Sequence, residues 1–341
     1  MMKAVSFVVS MFVSMFSMGQ TDSIASVVNQ MNGVSYVSIH KKLDSMDIVS
    51  VQDVGANWVS VVPFSYMKSG RFPELHYDQD WFCYGDRLNG VGEIVRDAKV
   101  NGLKVLVKPQ VWVSESFYTG KISMKKDKNW RKYENQYSEY ILAFAKVAEE
   151  EGADMFCVGT EMKRFVCERP RFWNRLIRDV RLVFSGELIY AANWDDYESV
   201  PFWKKLDYIG VDAYFPISKN KEPTIKELKE GWKSIVASMD SLGKYYDKKI
   251  VLTEYGYRSI QGCAIHPWDY DKNESSNERA QVNALEALYQ VIWGHNQFTG
   301  GFLWKWHLDH SSAGGSMNTM FTVQNKMAEK TVMKYYRSSK N

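Results

Sequence analysis

The sequence predicts a single-domain α/β fold, a (β/α)8 TIM barrel, and three observations carry that reading. Short apolar runs alternate with helix-period runs almost without pause after residue 20. Eight such strand–helix pairs follow one another in a chain of 341 residues, which is the arithmetic of an eight-stranded barrel. The rival doubly wound open sheet announces itself with a Gly-rich phosphate loop after its first strand, and here that strand leads into Ser38-Ile39-His40-Lys41-Lys42. No Pro/Gly/Ser-rich linker divides the chain.

In order, the first strand is expected at 34–39 and its helix at 46–54. A second strand covers 58–66, a Gly-, Pro- and aromatic-rich loop 68–85, and a helix 88–100 that Asn101-Gly102 stops. The third strand is 104–113, followed by a long helix over 130–151 closed by Gly152. The fourth is 154–161, and Pro170 opens a helix reaching about 184, proline being tolerated in a first turn. Strand five is 187–194 with a short helix at 200–206; strand six is 208–214. Thr224-Ile225-Lys226-Glu227 is a capping box that starts a helix to about 242. Strand seven is 249–254 with a helix over 278–293, and strand eight is 298–306 with a final helix over 326–336.

Lys3 precedes an apolar stretch over residues 4–18, and Ser17 and Gly19 fit the small positions of a secretory cleavage site. Residues 1–19 are therefore expected to be a signal peptide and 20–341 the exported domain, periplasmic or extracellular and soluble. No later run reaches the roughly 20 apolar residues of a membrane span, and no Cys near the cleavage point offers a lipid anchor. With 43 basic and 40 acidic residues the charge is nearly balanced, and the Lys-rich stretch 121–132 is interrupted by Asp127, Asn129 and Trp130. That pattern is a solvated loop and argues against a nucleic-acid partner. Trp and Tyr are costly to bury completely because each carries a polar group, so part of the 12 Trp and 20 Tyr is expected to line a cleft, with packing between barrel and helices taking a good part of the rest. Cys83, Cys157, Cys167 and Cys263 show no zinc spacing and read as structural thiols.

In a barrel of this kind the loops after the strands build the site. Two runs, Phe156-Cys157-Val158-Gly159-Thr160-Glu161 and Ile250-Val251-Leu252-Thr253-Glu254, are apolar strands that close in Thr-Glu. They are strands four and seven, which face each other across the ring. Two strand-end carboxylates suggest glycosidic-bond cleavage, in which an acid and a nucleophile flank the bond. Their environments must differ; Arg258 or Tyr214 would hold Glu254 anionic and leave Glu161 as the acid/base. The structural alternative is a barrel-end salt bridge of one glutamate with Lys108 or Arg258.

Other polar and aromatic groups at strand ends are Lys108, Gln110, Trp112, Asn193, Trp194, Asp195, Asp212, Tyr214, Tyr257, Arg258, Trp304, Trp306 and His307. From these, Lys108, Trp112, Asn193, Trp194, Asp212, Tyr214, Arg258, Trp304 and Trp306 are expected to bind substrate. Trp304-Lys305-Trp306 alternates, so both indoles are expected on one face as a wall for a sugar, with core packing as the alternative. His307-Leu308-Asp309-His310 lacks a third, separated ligand, so no metal is expected. No Gly-x-Ser-x-Gly, Walker loop or HExxH helix occurs.

Several stretches together resemble glycoside hydrolase family 113, (β/α)8 β-mannanases of the large retaining clan. They are Trp58-Val59-Ser60-Val61-Val62-Pro63-Phe64, Lys104-Val105-Leu106-Val107-Lys108-Pro109, Val158-Gly159-Thr160-Glu161-Met162 and Tyr190-Ala191-Ala192-Asn193-Trp194. To these add residues 206–216 around Asp212-Ala213-Tyr214, Leu252-Thr253-Glu254-Tyr255-Gly256-Tyr257-Arg258-Ser259 and Gly300-Gly301-Phe302-Leu303-Trp304-Lys305-Trp306. The resemblance implies Glu161 as acid/base, Glu254 as nucleophile, and substrate contacts from Lys108, Asn193, Asp212, Tyr214 and Trp304. Many clan members carry Asn directly before the acid/base, where Thr160 stands here. The implied activity is a cofactor-free, metal-independent, monomeric retaining hydrolase of β-1,4-mannan or manno-oligosaccharides. An exo-β-mannosidase, a hydrolase of another β-glycan, a non-catalytic carbohydrate-binding barrel and a metal-dependent barrel hydrolase are the alternatives.

Overall fold

Eight parallel strands close into a ring in which every neighbour is hydrogen-bonded. A computed structural model describes residues 30–338 other than 38, 39, 115, 116 and 272, so the expected signal peptide lies outside the described residues. In chain order the strands are β1 (Met31–Val37), β2 (Trp58–Val62), β3 (Phe64–Met67), β4 (Lys104–Val107), β5 (Gln110–Val113), β6 (Met155–Thr160), β7 (Glu187–Asn193), β8 (Ile209–Asp212), β9 (Ile250–Tyr255) and β10 (Phe298–Trp306). The ring runs β1-β10-β9-β8-β7-β6-β4-β2, while β3 and β5 form a separate two-stranded parallel ribbon. The α/β barrel expected from the sequence is therefore the observed one.

Period-two alternation along the strands sorts their side chains into two cores. Met31, Trp58, Leu106, Met155, Val251 and Phe302 fill the interior of the ring, with Trp58 and Phe302 edge to face at 6.0 Å. The alternate residues, such as Val105, Val107, Leu252 and Leu303, face outward. They pack on the helices α1 (Ser45–Asp53), α2 (Leu88–Val100), α3 (Asp127–Glu150), α4 (Lys163–Glu168), α5 (Pro170–Arg181), α6 (Ile225–Tyr246), α7 (Glu278–Ile292) and α8 (Met327–Ser338). The capping box is present as expected: Glu227 N donates to Thr224 Oγ1 at 3.2 Å and Thr224 N to Glu227 Oε2 at 2.7 Å. In the outer core, Tyr255 meets Tyr289 at 2.9 Å and Tyr336 at 2.6 Å, and Tyr336 donates to Gly33 O at 2.6 Å. That buried triad ties the last helix to the first strand.

Four elements differ from expectation. The predicted strands 58–66 and 104–113 both break at a proline, Pro63 and Pro109, which has no N–H to give a ladder. Beyond each break the chain resumes as β3 or β5, and Gln110 N donates to Pro63 O at 2.9 Å. The helix expected at 200–206 is two 3-10 turns, Tyr197–Ser199 and Trp203–Lys205. Residues expected as loop after strand four form the extra helix α4. All four cysteines are free thiols. Among the described residues no helix is long and apolar enough to cross a membrane.

Candidate active site

Both glutamates sit where a strand carries one residue too many. On β6, Cys157 pairs with Ile189 and Thr160 with Ala191, three steps against two. On β9, Val211 opposes Leu252 and Asp212 opposes Glu254, two steps against one. The same surplus appears on the other side, where Gly301 opposes Leu252 and Leu303 opposes Tyr255. A bulge shifts the alternation by one and re-aims the side chains beyond it. Val251 faces the ring interior, Thr253 and Glu254 both turn to the upper end of the ring, and Tyr255 rejoins the outer core. On β6 the neighbouring Gly159 is required, since a Cβ there would lie 2.6 Å from the Trp173 ring. Glu161 itself has φ 54°, a left-handed conformation costly for a residue with a Cβ, while its N–H still donates to Ala191 O at 2.8 Å. Strain of this kind collects at functional sites.

Three donors converge on Glu254. Lys108 Nζ and Gln110 Nε2 donate to Oε1, the latter at 2.7 Å, and the Tyr214 hydroxyl donates to Oε2 at 2.8 Å. Both oxygens thus act as acceptors, the arrangement of a carboxylate. Lys108 Nζ also reaches Asp212 Oδ2 at 3.4 Å, and Thr253 Oγ1 donates to Asp212 Oδ1 at 2.7 Å. Burial works against the Lys108 charge, but the carboxylates of Asp212 and Glu254 outweigh it and raise its pKa above the ordinary value. Tyr214 stays a neutral donor, its pKa raised by burial first and then by the charge of Glu254.

Glu161 is placed differently. Among the described residues no hydrogen bond reaches its carboxyl. Burial first, then the charges of Asp212 and Glu254, push its pKa well above the usual carboxyl range, against the opposing pull of Lys108. One cation shared by three acids explains the direction. The Asp212 carboxyl is likewise pushed up, by burial and then by Glu254, with Lys108 and Thr253 opposing.

The remaining expected residues divide. Asn193 follows Ala191 on the inward face of β7 and remains half-buried, donating to Asp195 Oδ1 at 3.0 Å. Trp304 follows the inward Phe302 and is half-buried at the ring's end. Trp194 is also half-buried and stacks on Trp268 at 4.8 Å, while Trp112 is exposed at the end of β5.

Four expectations are corrected. Lys108 and Asp212 were expected to touch substrate, yet both side chains are 0% exposed: Lys108 is engaged with Glu254 and Asp212, and Asp212 with Lys108 and Thr253. Trp306 does not share a face with Trp304: β10 carries an extra residue between Leu303 and Trp306, which turns the second indole into the outer core, where Nε1 donates to Ser50 Oγ at 3.1 Å. Arg258 is buried and ties loops together, donating to Thr319 O at 3.2 Å and Tyr270 O at 2.9 Å; the chain has left the barrel by that position, so Tyr214 alone of the two candidates reaches Glu254.

Two groups that act electrostatically with Glu161 escaped sequence reading, Tyr118 and Asp196, because both lie on loops without a periodic signal. The Tyr118 hydroxyl and Asp196 Oδ1 are buried without a hydrogen-bond partner among the described residues. Asp196 is raised to about 7 by burial and then by Asp195, with Lys163 opposing. His310 Nε2 pairs with Glu329 of α8 at 2.5 Å, and Asp309 accepts from Ser311 and Ser312 of its own loop. Among the described residues no group of three or more His, Cys, Asp or Glu is placed to hold a metal.

The sequence profile of Glycoside Hydrolase Family 113 matches residues 35–326. The chain belongs to that family. It is accordingly a glycoside hydrolase. Its fold is similar to that of a family 113 β-mannanase from Alicyclobacillus acidocaldarius in complex with ManMIm, at 24% identity and a TM-score of 0.80 over 92% of this chain and 99% of that one. A family 113 β-1,4-mannanase superposes at 23% identity and a TM-score of 0.79, covering 91% of this chain and 99% of the other. A β-glucuronidase from Ruminococcus gnavus bound to D-glucaro 1,5-lactone is more distant, at 12% identity and a TM-score of 0.60 over 90% of this chain and 49% of that one. At these identities the likeness is one of fold. No curated protein matches the chain.

Proposed function

We propose that this family 113 hydrolase cleaves β-1,4-mannosidic bonds of mannan or manno-oligosaccharides with retention, Glu254 acting as nucleophile and Glu161 as acid/base. The unequal environment of the two carboxyls carries the reading: three donors hold Glu254, whereas Glu161 has none and is driven toward its protonated form. In the first step a Glu254 oxygen bonds to the anomeric carbon as the carbon–oxygen bond to the leaving sugar breaks, and the leaving oxygen takes the Glu161 proton. In the second, Glu161 removes a proton from water, whose oxygen bonds to the anomeric carbon while the bond to Glu254 breaks and that carboxylate is restored.

Lys108, Gln110, Tyr214 and, through Lys108, Asp212 position and polarise the nucleophile. Asn193 and Trp304, which close the inward faces of β7 and β10, are the contacts for the sugar. Thr160, where many clan members carry Asn, turns its hydroxyl toward Pro109 O at 3.4 Å, which leaves Asn193 as the amide for a sugar hydroxyl. The mannan assignment draws on the family and on the names of its solved members. With residues 1–19 acting as a signal peptide, the polysaccharide is met outside the cytoplasm.

Proton NMR of mannopentaose during hydrolysis tests the stereochemistry. The β-anomer is expected first, with the α-anomer growing later by mutarotation; α first would overturn the retaining assignment. Absence of turnover on mannan, with turnover of another β-glycan, would overturn the substrate.

A further inference from the structure

The ribbon formed by β3 and β5 has one buried face and one open face. Phe64 pairs with Gln110 and Tyr66 with Trp112 in parallel register. By the period of two, those four side chains share a face, and they are the less buried members of the two strands. Ser65, Met67, Val111 and Val113 are buried on the other. The open face begins at the nucleophile, because its Gln110 donates to Glu254 Oε1 at 2.7 Å. Two residues further along the same strand, about 7 Å away, stands Trp112, 61% exposed, with the Tyr66 ring at 5.9 Å. Trp81, 64% exposed, meets Tyr66 edge to face at 5.8 Å and stacks on Phe82 at 4.1 Å.

The loop bearing Trp81 is pinned at both ends. Tyr66 N donates to His76 O at 2.8 Å and His76 N to Tyr66 O at 2.9 Å, while Leu88 N donates to Asp78 Oδ1 at 2.9 Å. An exposed aromatic cluster held rigidly beside a nucleophile is not explained by packing, since its water-facing area would be better buried in the core.

We infer that Trp112, Tyr66 and Trp81 form a distal subsite on which sugar rings of a β-linked glycan chain stack, two or more units from the bond being cut. The subsite rests on the reading of Glu254 as the reacting centre, because Gln110 is what joins the two. Stacking rings at a distance from the cut bond contributes binding only when the substrate is long enough to reach them, so the enzyme prefers chains over short oligomers.

The test compares kcat/KM on mannohexaose with that on mannotriose, in wild type, Trp112→Ala and Trp81→Ala; both indoles are exposed, so truncation leaves the fold in place. The hexaose-to-triose ratio is expected to fall about tenfold in each variant, chiefly through KM for the hexaose. A wild-type ratio in both variants, or equal losses on both substrates, overturns the subsite. Calorimetry of mannohexaose with Glu254→Gln, alone and combined with Trp112→Ala, reads the subsite without turnover. Binding weakened about tenfold by the second change supports it even if no glycan is hydrolysed, an outcome that would sink the catalytic reading alone. Normal mannan hydrolysis with binding indifferent to Trp112 would sink the subsite alone.

Discussion

The Tyr214 hydroxyl lies 2.8 Å from Glu254 Oε2, the oxygen that Lys108 and Gln110 leave free. A hydrogen bond to a carboxylate in an enclosed site is worth about 1.5–3 kcal/mol. Tyr214→Phe is therefore expected to lower kcat/KM on mannan about 10- to 100-fold, with the circular dichroism spectrum and Tm close to wild type. Kinetics indistinguishable from wild type would remove Tyr214 from the positioning of Glu254.

Lys108 is sealed between Glu254 and Asp212. Removing a buried ion's partner leaves its charge uncompensated, at a cost of about 3–5 kcal/mol. Lys108→Met should lose about that much stability in urea unfolding and nearly all activity. Adding Asp212→Asn should return part of the stability, since it removes one of the stranded charges, but not the activity. A double variant less stable than Lys108→Met would contradict the shared-cation arrangement.

Glu161 must carry a proton to act as an acid, and its pKa lies well above the usual carboxyl range because of burial and the charges of Asp212 and Glu254. The sign follows: kcat/KM falls as pH rises through that raised pKa, so activity extends further toward alkaline pH than an ordinary glutamate would permit. On an aryl mannoside whose leaving group needs no proton, Glu161→Gln should abolish this alkaline limb of the pH profile for glycosylation. Persistence of the limb in that variant would assign it to another group.

The barrel was legible because its signals are local. The helix Leu88–Val100 and the strand Phe298–Trp306 fall where periodicity and the Asn101-Gly102 stop put them. The place of Glu161 and Glu254 at one end of the ring was legible too, since each closes an apolar strand run. What escaped was facing. Strands buried on both faces carry no alternation, so the extra residues in β6, β9 and β10 leave no trace in the sequence. Trp306 was misread for that reason. Lys108 and Asp212 lie in the ring as expected but one layer deeper, because whether a charge reaches the cleft or only its buried neighbours depends on a tertiary contact.

Trp306 serves stability in the outer core. Trp306→Ala should cost about 3–5 kcal/mol, the range for truncating a large buried aromatic, with KM for manno-oligosaccharides unchanged in the fraction that remains folded at low temperature. A raised KM without loss of Tm would restore it to the cleft.

In the outer core, Tyr336→Phe deletes the donor to Gly33 O and one member of the tyrosine triad. The expected loss is about 1–3 kcal/mol, read as a lower urea midpoint with kcat unaltered. Unchanged stability would show that the triad does not fasten α8 to β1.

Covalent trapping reaches the central claim most directly. A 2-deoxy-2-fluoro-β-mannosyl fluoride should inactivate the enzyme with one label per chain, and peptide mass spectrometry should find that label on Glu254. A label on Glu161, or on any other residue, would contradict the assignment of the nucleophile.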